Sequence, residues 1–390
     1  MKKQLLLPII FFLTTGTVFT QNIKGFYVDG FNTILGNTLR EDSLLLFAKN
    51  NGFNYLTLYN IYQVNTATPL TNTSTAQSFA SFVQKAKTQY SIAEIGVAGE
   101  NYAFFSNIIN VYNQQHPIIT QKVDVYNLEF EFWIPSSVAV GSYYCNTYLQ
   151  PAGYSCDTAG AFAFYKKTLK RIDSLANANG RKSEAYFGFF NSGQGKQIVQ
   201  TGVDRVLLSV YIPSGNYSST YQYNYASPRL INLAGANTNI KIMTLYSAEP
   251  TFMQSWATIN PYFKPYNDFA NSLALETGIW KNYIQDEGIQ WFAYSYLPKK
   301  NMVTDIRLRE SEIQKVNVFP NPANGIIHIR CESCLEGGWV DIVDFTGKTL
   351  LSSKITSIDT NLYPDLENGV YFVKVKLNNQ QIYTQKLIIK

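Results

Sequence analysis

From Ile23 to Tyr296 the chain alternates eight times between a short run of apolar or β-branched residues and a longer segment with helical spacing. The runs are 23–29, 53–59, 91–97, 123–131, 184–190, 204–212, 239–246 and 288–296. Between them, Leu39 to Asn51, Thr75 to Gln89, Ala103 to Asn113 and Thr158 to Ala178 carry apolar residues three and four apart, with Ser43, Ser74 and Asp157 near the starts. Eight such units in about 275 residues match the arithmetic of an α/β fold of the (β/α)8 TIM barrel type. The alternative, a doubly wound open sheet, calls for a glycine-rich phosphate turn after its first strand. Gly25-Phe26-Tyr27-Val28-Asp29-Gly30 is not one.

In a barrel the chemistry collects at the C-terminal ends of the strands, and the fourth run, Asp124-Val125-Tyr126-Asn127-Leu128-Glu129-Phe130-Glu131-Phe132-Trp133, stands out. A side-chain period of two puts Asn127, Glu129 and Glu131 on one face and Leu128, Phe130 and Phe132 on the other. The polar row should face the lumen and the apolar row the helices. Two carboxylates with Cα atoms roughly 7 Å apart repel unless a function or hydrogen bonds offset the repulsion. Burial and the neighbouring charge should raise at least one pKa, so that one glutamate holds a proton at neutral pH and serves as a general acid. Asp29, Glu100 and Glu249 follow the first, third and seventh runs and are candidates for a conventional second carboxylate, or are ordinary solvated loop residues.

Composition narrows the function classes. Charged residues are 15% of the chain and the net charge is +5, from 32 Lys and Arg against 27 Asp and Glu, so no basic face for phosphate backbones is expected and nucleic acid is not a partner. His116 and His328 are the only histidines, too few for a three-histidine or HExxH metal site, and a Ser-His-Asp triad would rest on His116 alone. Chemistry therefore falls to carboxylates, with no metal and no organic cofactor. The 28 Tyr, 25 Phe and 5 Trp suit either a crowded aromatic core or a surface that meets hydroxylated, ring-shaped ligands such as sugars.

The fourth run resembles the corresponding strand of glycoside hydrolase family 18, the chitinases and endo-N-acetylglucosaminidases, which carries D-x-x-D-x-D-x-E. Asp124, Asn127, Glu129 and Glu131 take those four positions; Asp124 and Glu131 match in identity, whereas Asn127 and Glu129 replace the family's Asp. Gly25-Phe26-Tyr27 at the barrel's opening, Ser209-Val210-Tyr211 at the sixth run, and Trp291 with Tyr294 on the eighth, where the family has an aromatic floor, extend the resemblance. It implies substrate-assisted hydrolysis, an exception to the two-carboxylate scheme. Glu131 would protonate the glycosidic oxygen, Glu129 would orient the substrate's 2-acetamido group, and Tyr211 would donate to its carbonyl oxygen. Asp124, Tyr27, Trp133, Trp291 and Tyr294 would line the sugar site, and Asn127 would support the catalytic pair. A glutamate at position 129 displaces its carboxylate by about one methylene, and a ~1 Å misplacement is enough to slow a reaction on the order of 100-fold.

The two ends concern export. Lys2 and Lys3 precede the apolar run Leu5 to Leu13 and the step Val18-Phe19-Thr20, the pattern of a secretory signal over 1–20. That run is about half the ~20 residues a membrane-spanning helix needs, so no transmembrane segment is expected in the mature chain. Cys145 and Cys156 bracket a loop rich in Tyr, Gly and Pro and are expected to form a disulfide staple. Cys331 and Cys334 form a C-x-x-C pair that reads as a tight disulfide, a redox motif or two free thiols. The barrel is expected over 21–298 and a charged linker over 299–314. Short alternating runs from 315 to 390 then predict an all-β sandwich of about seven strands.

Within that last segment, Val318-Phe319-Pro320-Asn321-Pro322-Ala323, Asp344-Phe345-Thr346-Gly347-Lys348, Leu366-Glu367-Asn368-Gly369-Val370-Tyr371-Phe372 and Gln385-Lys386-Leu387-Ile388-Ile389-Lys390 resemble the type A C-terminal sorting domain of type IX secretion cargo. The resemblance implies a Bacteroidetes-type bacterium, the type IX machinery and its sortase as partners, and a protein secreted or held at the outer-membrane cell surface. Three functions remain: a glycosidase acting on N-acetylglucosamine-containing glycans or chitin, a non-catalytic glycan-binding barrel, and a surface adhesion protein with the barrel as scaffold.

Overall fold

The computed structural model describes residues 22–300, 316–331, 338–344, 347–376 and 382–390. The proposed signal, the proposed linker beyond residue 300, and Cys334 lie outside them. Contacts divide the chain into two compact units, with the boundary between Asn301 and Met302.

The first unit is a closed barrel of eight parallel strands in sequence order: β1 (Ile23–Val28), β2 (Tyr55–Leu58), β3 (Glu94–Gly99), β4 (Val125–Leu128), β5 (Lys182–Phe187), β6 (Arg205–Ser209), β7 (Ile240–Ser247) and β8 (Ile284–Phe292). β8 closes on β1, pairing Gly25 with Gln290 and Phe26 with Trp291. The long helix Thr158–Ala178 starts where Asp157 predicts, its carboxylate accepting from Gly160 N at 2.7 Å. The first long helix instead starts at Thr38 behind Asn37, so Ser43 lies inside it and donates to Leu39 O. The segment expected as one helix over 103–113 is broken by a π-helical turn, Phe105–Ile109.

The eighth strand begins four residues earlier than expected, because Ile284-Gln285-Asp286-Glu287 is too polar to read as a strand. Its register against β7 jumps from Ile242–Asp286 to Met243–Gly288, leaving Glu287 as a bulge. Gly288 makes this possible: its φ is 146°, and a Cβ there would lie 1.9 Å from Ile23 O.

The second unit holds seven strands among its described residues: β9 (Val316–Phe319), β10 (Ile327–Cys331), β11 (Trp339–Val343), β12 (Thr349–Lys354), β13 (Asp359–Leu362), β14 (Gly369–Lys376) and β15 (Ile382–Ile389). They form a three-stranded sheet, β13-β10-β9, and a four-stranded sheet, β12-β11-β14-β15. Alternate residues, among them Val318, Ile329, Ile342, Val373 and Leu387, make the core between the sheets. The Pro-Asn-Pro-Ala segment is sewn to the last strand: Asn321 donates to Lys386 O at 2.7 Å and accepts from Ile388 N at 2.9 Å. Ala323 bridges to Ile389.

Candidate active site

β4 ends at Leu128, so Glu129 and Glu131 lie just past the strand, at the C-terminal mouth of the barrel. The alternation continues beyond the strand's last ladder bond. Phe130 packs on Phe164 and Tyr165, and Phe132 on Phe162 and Tyr165, against the helix Thr158–Ala178. With the apolar row fixed outside, Asn127, Glu129 and Glu131 are left facing inward.

The floor of the lumen is polar and organised around one ion pair. Glu184 on β5 and Arg205 on β6 are buried, with Nε 2.5 Å from Oε2. Arg205 also reaches Glu94 at 3.0 Å and Glu287 at 3.4 Å, and lies over the Tyr55 ring. The second Glu184 oxygen accepts from Tyr55 at 2.9 Å and from Asn127 at 2.6 Å. Asn127 Nδ2 is also 3.1 Å from the Tyr27 hydroxyl, while its Oδ1 has no partner among the described residues. Asn127 thus ties the floor to the layer above. A buried charge pair saturated with hydrogen bonds in this way rigidifies its surroundings.

Glu129 and Glu131 occupy the layer above. Glu129 is partly buried, and its pKa is raised to about 8, by burial first and then by the charges of Glu131, Glu100 and Glu184, against a hydrogen bond from Tyr27. Burial also raises the Glu131 carboxyl, opposed by the hydrogen bond from the Tyr186 hydroxyl, 3.4 Å from Oε1. The surrounding phenols respond. The Glu129 charge is the main cause that raises Tyr59, with burial second. Burial raises Tyr186 and Tyr211, with Glu129 adding to both. Tyr211 takes a further contribution from Glu249, just past β7, whose Oε2 accepts from Ser247 at 2.8 Å.

One wall of the mouth is the loop after β4, stapled by the disulfide Cys145–Cys156 as expected. It brings Tyr143 and Tyr148 onto Glu100: Tyr148 donates at 2.6 Å and Tyr143 at 3.0 Å, both to Oε2. Glu100 is therefore held by two phenols rather than solvated freely.

The expected site residues separate into three groups. Glu129, Glu131, Tyr211 and Trp133 meet at the mouth, with Trp133 edge-on to Tyr186 at 5.3 Å. Tyr27 and Asn127 lie beneath it. Tyr27 has no exposed surface, so it supports Glu129 from below instead of stacking on a sugar. Asp124, Trp291 and Tyr294 are elsewhere. Asp124 precedes β4 at the opposite end, 2.6 Å from Lys87 and 3.5 Å from Arg181, and accepts from Ile95 N. It is three residues from Asn127, an odd spacing that turns it away from the lumen. Trp291 is buried on the outer face of β8 between Tyr246 and Trp256, its indole donating to Tyr262 O at 3.0 Å. Gln290 and Phe292 face inward in its place, Gln290 toward Thr57 and Phe292 against Tyr27. Tyr294 stacks on Phe26 and meets Phe47 edge-on, outside the barrel. His116 is also structural, with Nδ1 2.8 Å from Tyr112 O.

Glu184, Arg205, Tyr59, Tyr148 and Tyr186 belong to the site without having been expected there. Glu184-Ala185-Tyr186 on β5 carried the same polar-apolar alternation as β4, and Arg205 opens β6 at the register of Glu184. That signal was present in the sequence.

The chain is thus a (β/α)8 barrel with a carboxylate and tyrosine mouth, joined in sequence to a small β-sandwich. Residues 317–390 match the family described as "Secretion system C-terminal sorting domain". The C-terminal unit is accordingly a type IX sorting domain, and the protein is delivered to the cell surface or the extracellular space. No curated protein matches the chain. Among solved structures it is similar to a Cellulomonas fimi endo-β-1,4-mannanase double mutant, with TM-score 0.40 and 9% identity over 95% of this chain and 94% of that one. It is similar also to the catalytic domain of the Bacillus sp. JAMB-750 GH26 endo-β-1,4-mannanase, with TM-score 0.43 and 12% identity over 71% and 79%. A D-psicose 3-epimerase gives TM-score 0.38 and 12% identity over 69% and 84%. Among the described residues no helix is long and apolar enough to cross a membrane.

Proposed function

We propose that the barrel is an exported glycoside hydrolase acting on N-acetylglucosamine-containing glycans or chitin. The observation that carries the reading is the end of β4, where two partly buried glutamates with raised proton affinity face a ring of tyrosines. Glu131 is the general acid: its proton passes to the glycosidic oxygen as the bond to the anomeric carbon breaks. The substrate's acetamido oxygen closes on that carbon, Glu129 accepts the acetamido N–H through its carbonyl oxygen, and Tyr211 donates to the acetamido oxygen. Water then opens the cyclic intermediate and returns a proton to Glu131. Asn127 and Tyr27 act as positioning residues beneath the pair.

A second reading has its own observation. The charges of Glu249 and Glu129 both act on Tyr211, so the loop after β7 brings a carboxylate to the same mouth and a conventional two-carboxylate hydrolysis of sugars without an acetamido group is open to it. Rates on a chromogenic chitobioside and on the matching cellobioside separate the two. Turnover of the chitobioside alone, insensitive to Glu249→Gln, supports substrate assistance; turnover of the cellobioside, lost in Glu249→Gln, supports the second reading. No turnover of either with glycan binding retained assigns the barrel to sugar recognition without catalysis.

A further inference from the structure

Beside the mouth, between the loops that follow β3 and β4 and the helix Thr158–Ala178, lies a cavity of about 470 Å³. Its size is in the range of small-ligand sites. Tyr102, Tyr148 and Phe164 supply aromatic walls, and Asn107, Thr168 and Arg171 supply polar groups. The guanidinium carbon of Arg171 is 3.7 Å from the centroid of the Tyr102 ring, a stack that orients the planar fork. Arg171 makes no ion pair among the described residues. Ser106 donates to Asn107 Oδ1 at 2.7 Å, which leaves the Asn107 amide nitrogen available to a ligand. The wall is continuous with the mouth of the barrel, because Tyr148 lines the cavity and donates its hydroxyl to Glu100.

We propose that this cavity is a binding subsite for a carboxylate-bearing sugar residue of a glycan, a uronate or a sialic acid. Arg171 takes the carboxylate as a two-point hydrogen-bonded pair, the arrangement in which arginine differs most from lysine. The aromatic walls take the apolar face of the sugar ring, and Asn107 donates to a ring hydroxyl. The assignment rests on the glycan reading of the barrel but not on its catalysis. A glycan seated across Tyr148 would have its acidic residue here and a neighbouring residue at Glu100.

The test is a titration of the full chain in low salt with matched pairs of probes: trigalacturonate against galactotriose, and 3′-sialyllactose against lactose. At least tenfold tighter binding of one acidic member is expected, and which pair shows it tells uronate from sialic acid. Arg171→Gln and Arg171→Lys should both abolish the preference, whereas Lys170→Gln, with the charge change of Arg171→Gln on the next residue, should leave it within twofold. Glu131→Gln should leave it unchanged, so loss of hydrolysis and loss of this subsite are separate results. Equal binding within both pairs would overturn the proposal, as would a preference that survives Arg171→Gln or that falls equally in Lys170→Gln.

Discussion

Asn127 donates to Glu184 across 2.6 Å, and this bond joins the row of polar residues on β4 to the buried ion pair in the barrel floor. Everything proposed for the mouth stands on that floor, because Tyr27, which supports Glu129, is held by the same amide. Three strands that are distant in sequence converge there, so the geometry of the glutamates is set by long-range packing rather than by their own loop.

Removing half of the Glu184–Arg205 pair should be worse than removing both. Arg205→Met leaves a buried carboxylate without its cation and is expected to lower stability by roughly 3–5 kcal/mol. Arg205→Met with Glu184→Leu should recover only part of that loss, because Glu94 and Glu287 still lack their cation and Tyr55 and Asn127 their acceptor. Urea melts of the three proteins decide it; a single mutant within about 1 kcal/mol of the parent would show that the pair does not organise the floor.

Glu129 gives a pH signature with a defined sign. Its folded pKa, about 8, is above the usual carboxylate value, so the folded state binds the proton more tightly than the unfolded state. Stability should therefore be greatest below about pH 4.5 as far as this group is concerned, and should decline as the pH rises toward 8. Glu129→Gln removes the titration. Melting temperatures between pH 5 and 9 should fall by several degrees more in the parent than in Glu129→Gln, and parallel curves would contradict the buried, protonated carboxyl.

The disulfide should matter to the site more than to the barrel. Cys145→Ser with Cys156→Ser frees a loop whose closure is worth about 3 kcal/mol in a chain-entropy account. Tyr143 and Tyr148 then lose their fixed approach to Glu100. Limited proteolysis should cut between 140 and 156 in the double mutant and not in the parent, with KM raised severalfold. Protection equal to the parent's would mean that packing, not the bond, holds the wall.

Position within the barrel separates Trp291 from Tyr211. Trp291→Phe leaves an imperfectly filled space on the outer face of β8, so it should lower stability by about 1–3 kcal/mol and leave KM within twofold. Tyr211→Phe removes a hydroxyl at the mouth, so kcat should fall at least tenfold with little change in melting temperature. The reverse pattern would restore the aromatic floor to Trp291.

Much of this was legible in the sequence, and the exceptions have physical causes. The eight alternations are local patterns, and so is the period of two along Asn127, Glu129 and Glu131; both survive in the fold. The odd spacing of Asp124 was also there to be read, and a resemblance of motif positions overrode it. Trp291 was placed at the site by the resemblance alone: a period of two over 288–292 allows either face inward, and the register of β8 on β1 and β7 turns Gln290 and Phe292 toward the lumen. The alternation on β5 and the start of β6 place Glu184 beside Arg205, but only closure of the barrel brings Glu94 and Glu287 to the same guanidinium. The four-residue β13, mostly polar, is a strand because β10 offers it an edge.

The general-acid assignment is tested most directly by changing the leaving group. Hydrolysis of 4-methylumbelliferyl chitobioside, which needs a proton at the departing oxygen more than a strongly activated aryl glycoside does, should fall on the order of 100-fold or more in Glu131→Gln. Hydrolysis of 2,4-dinitrophenyl chitobioside, whose leaving group departs as a stable anion, should stay within about tenfold of the parent. Equal loss on both substrates, or no loss on either, would contradict Glu131 as the acid.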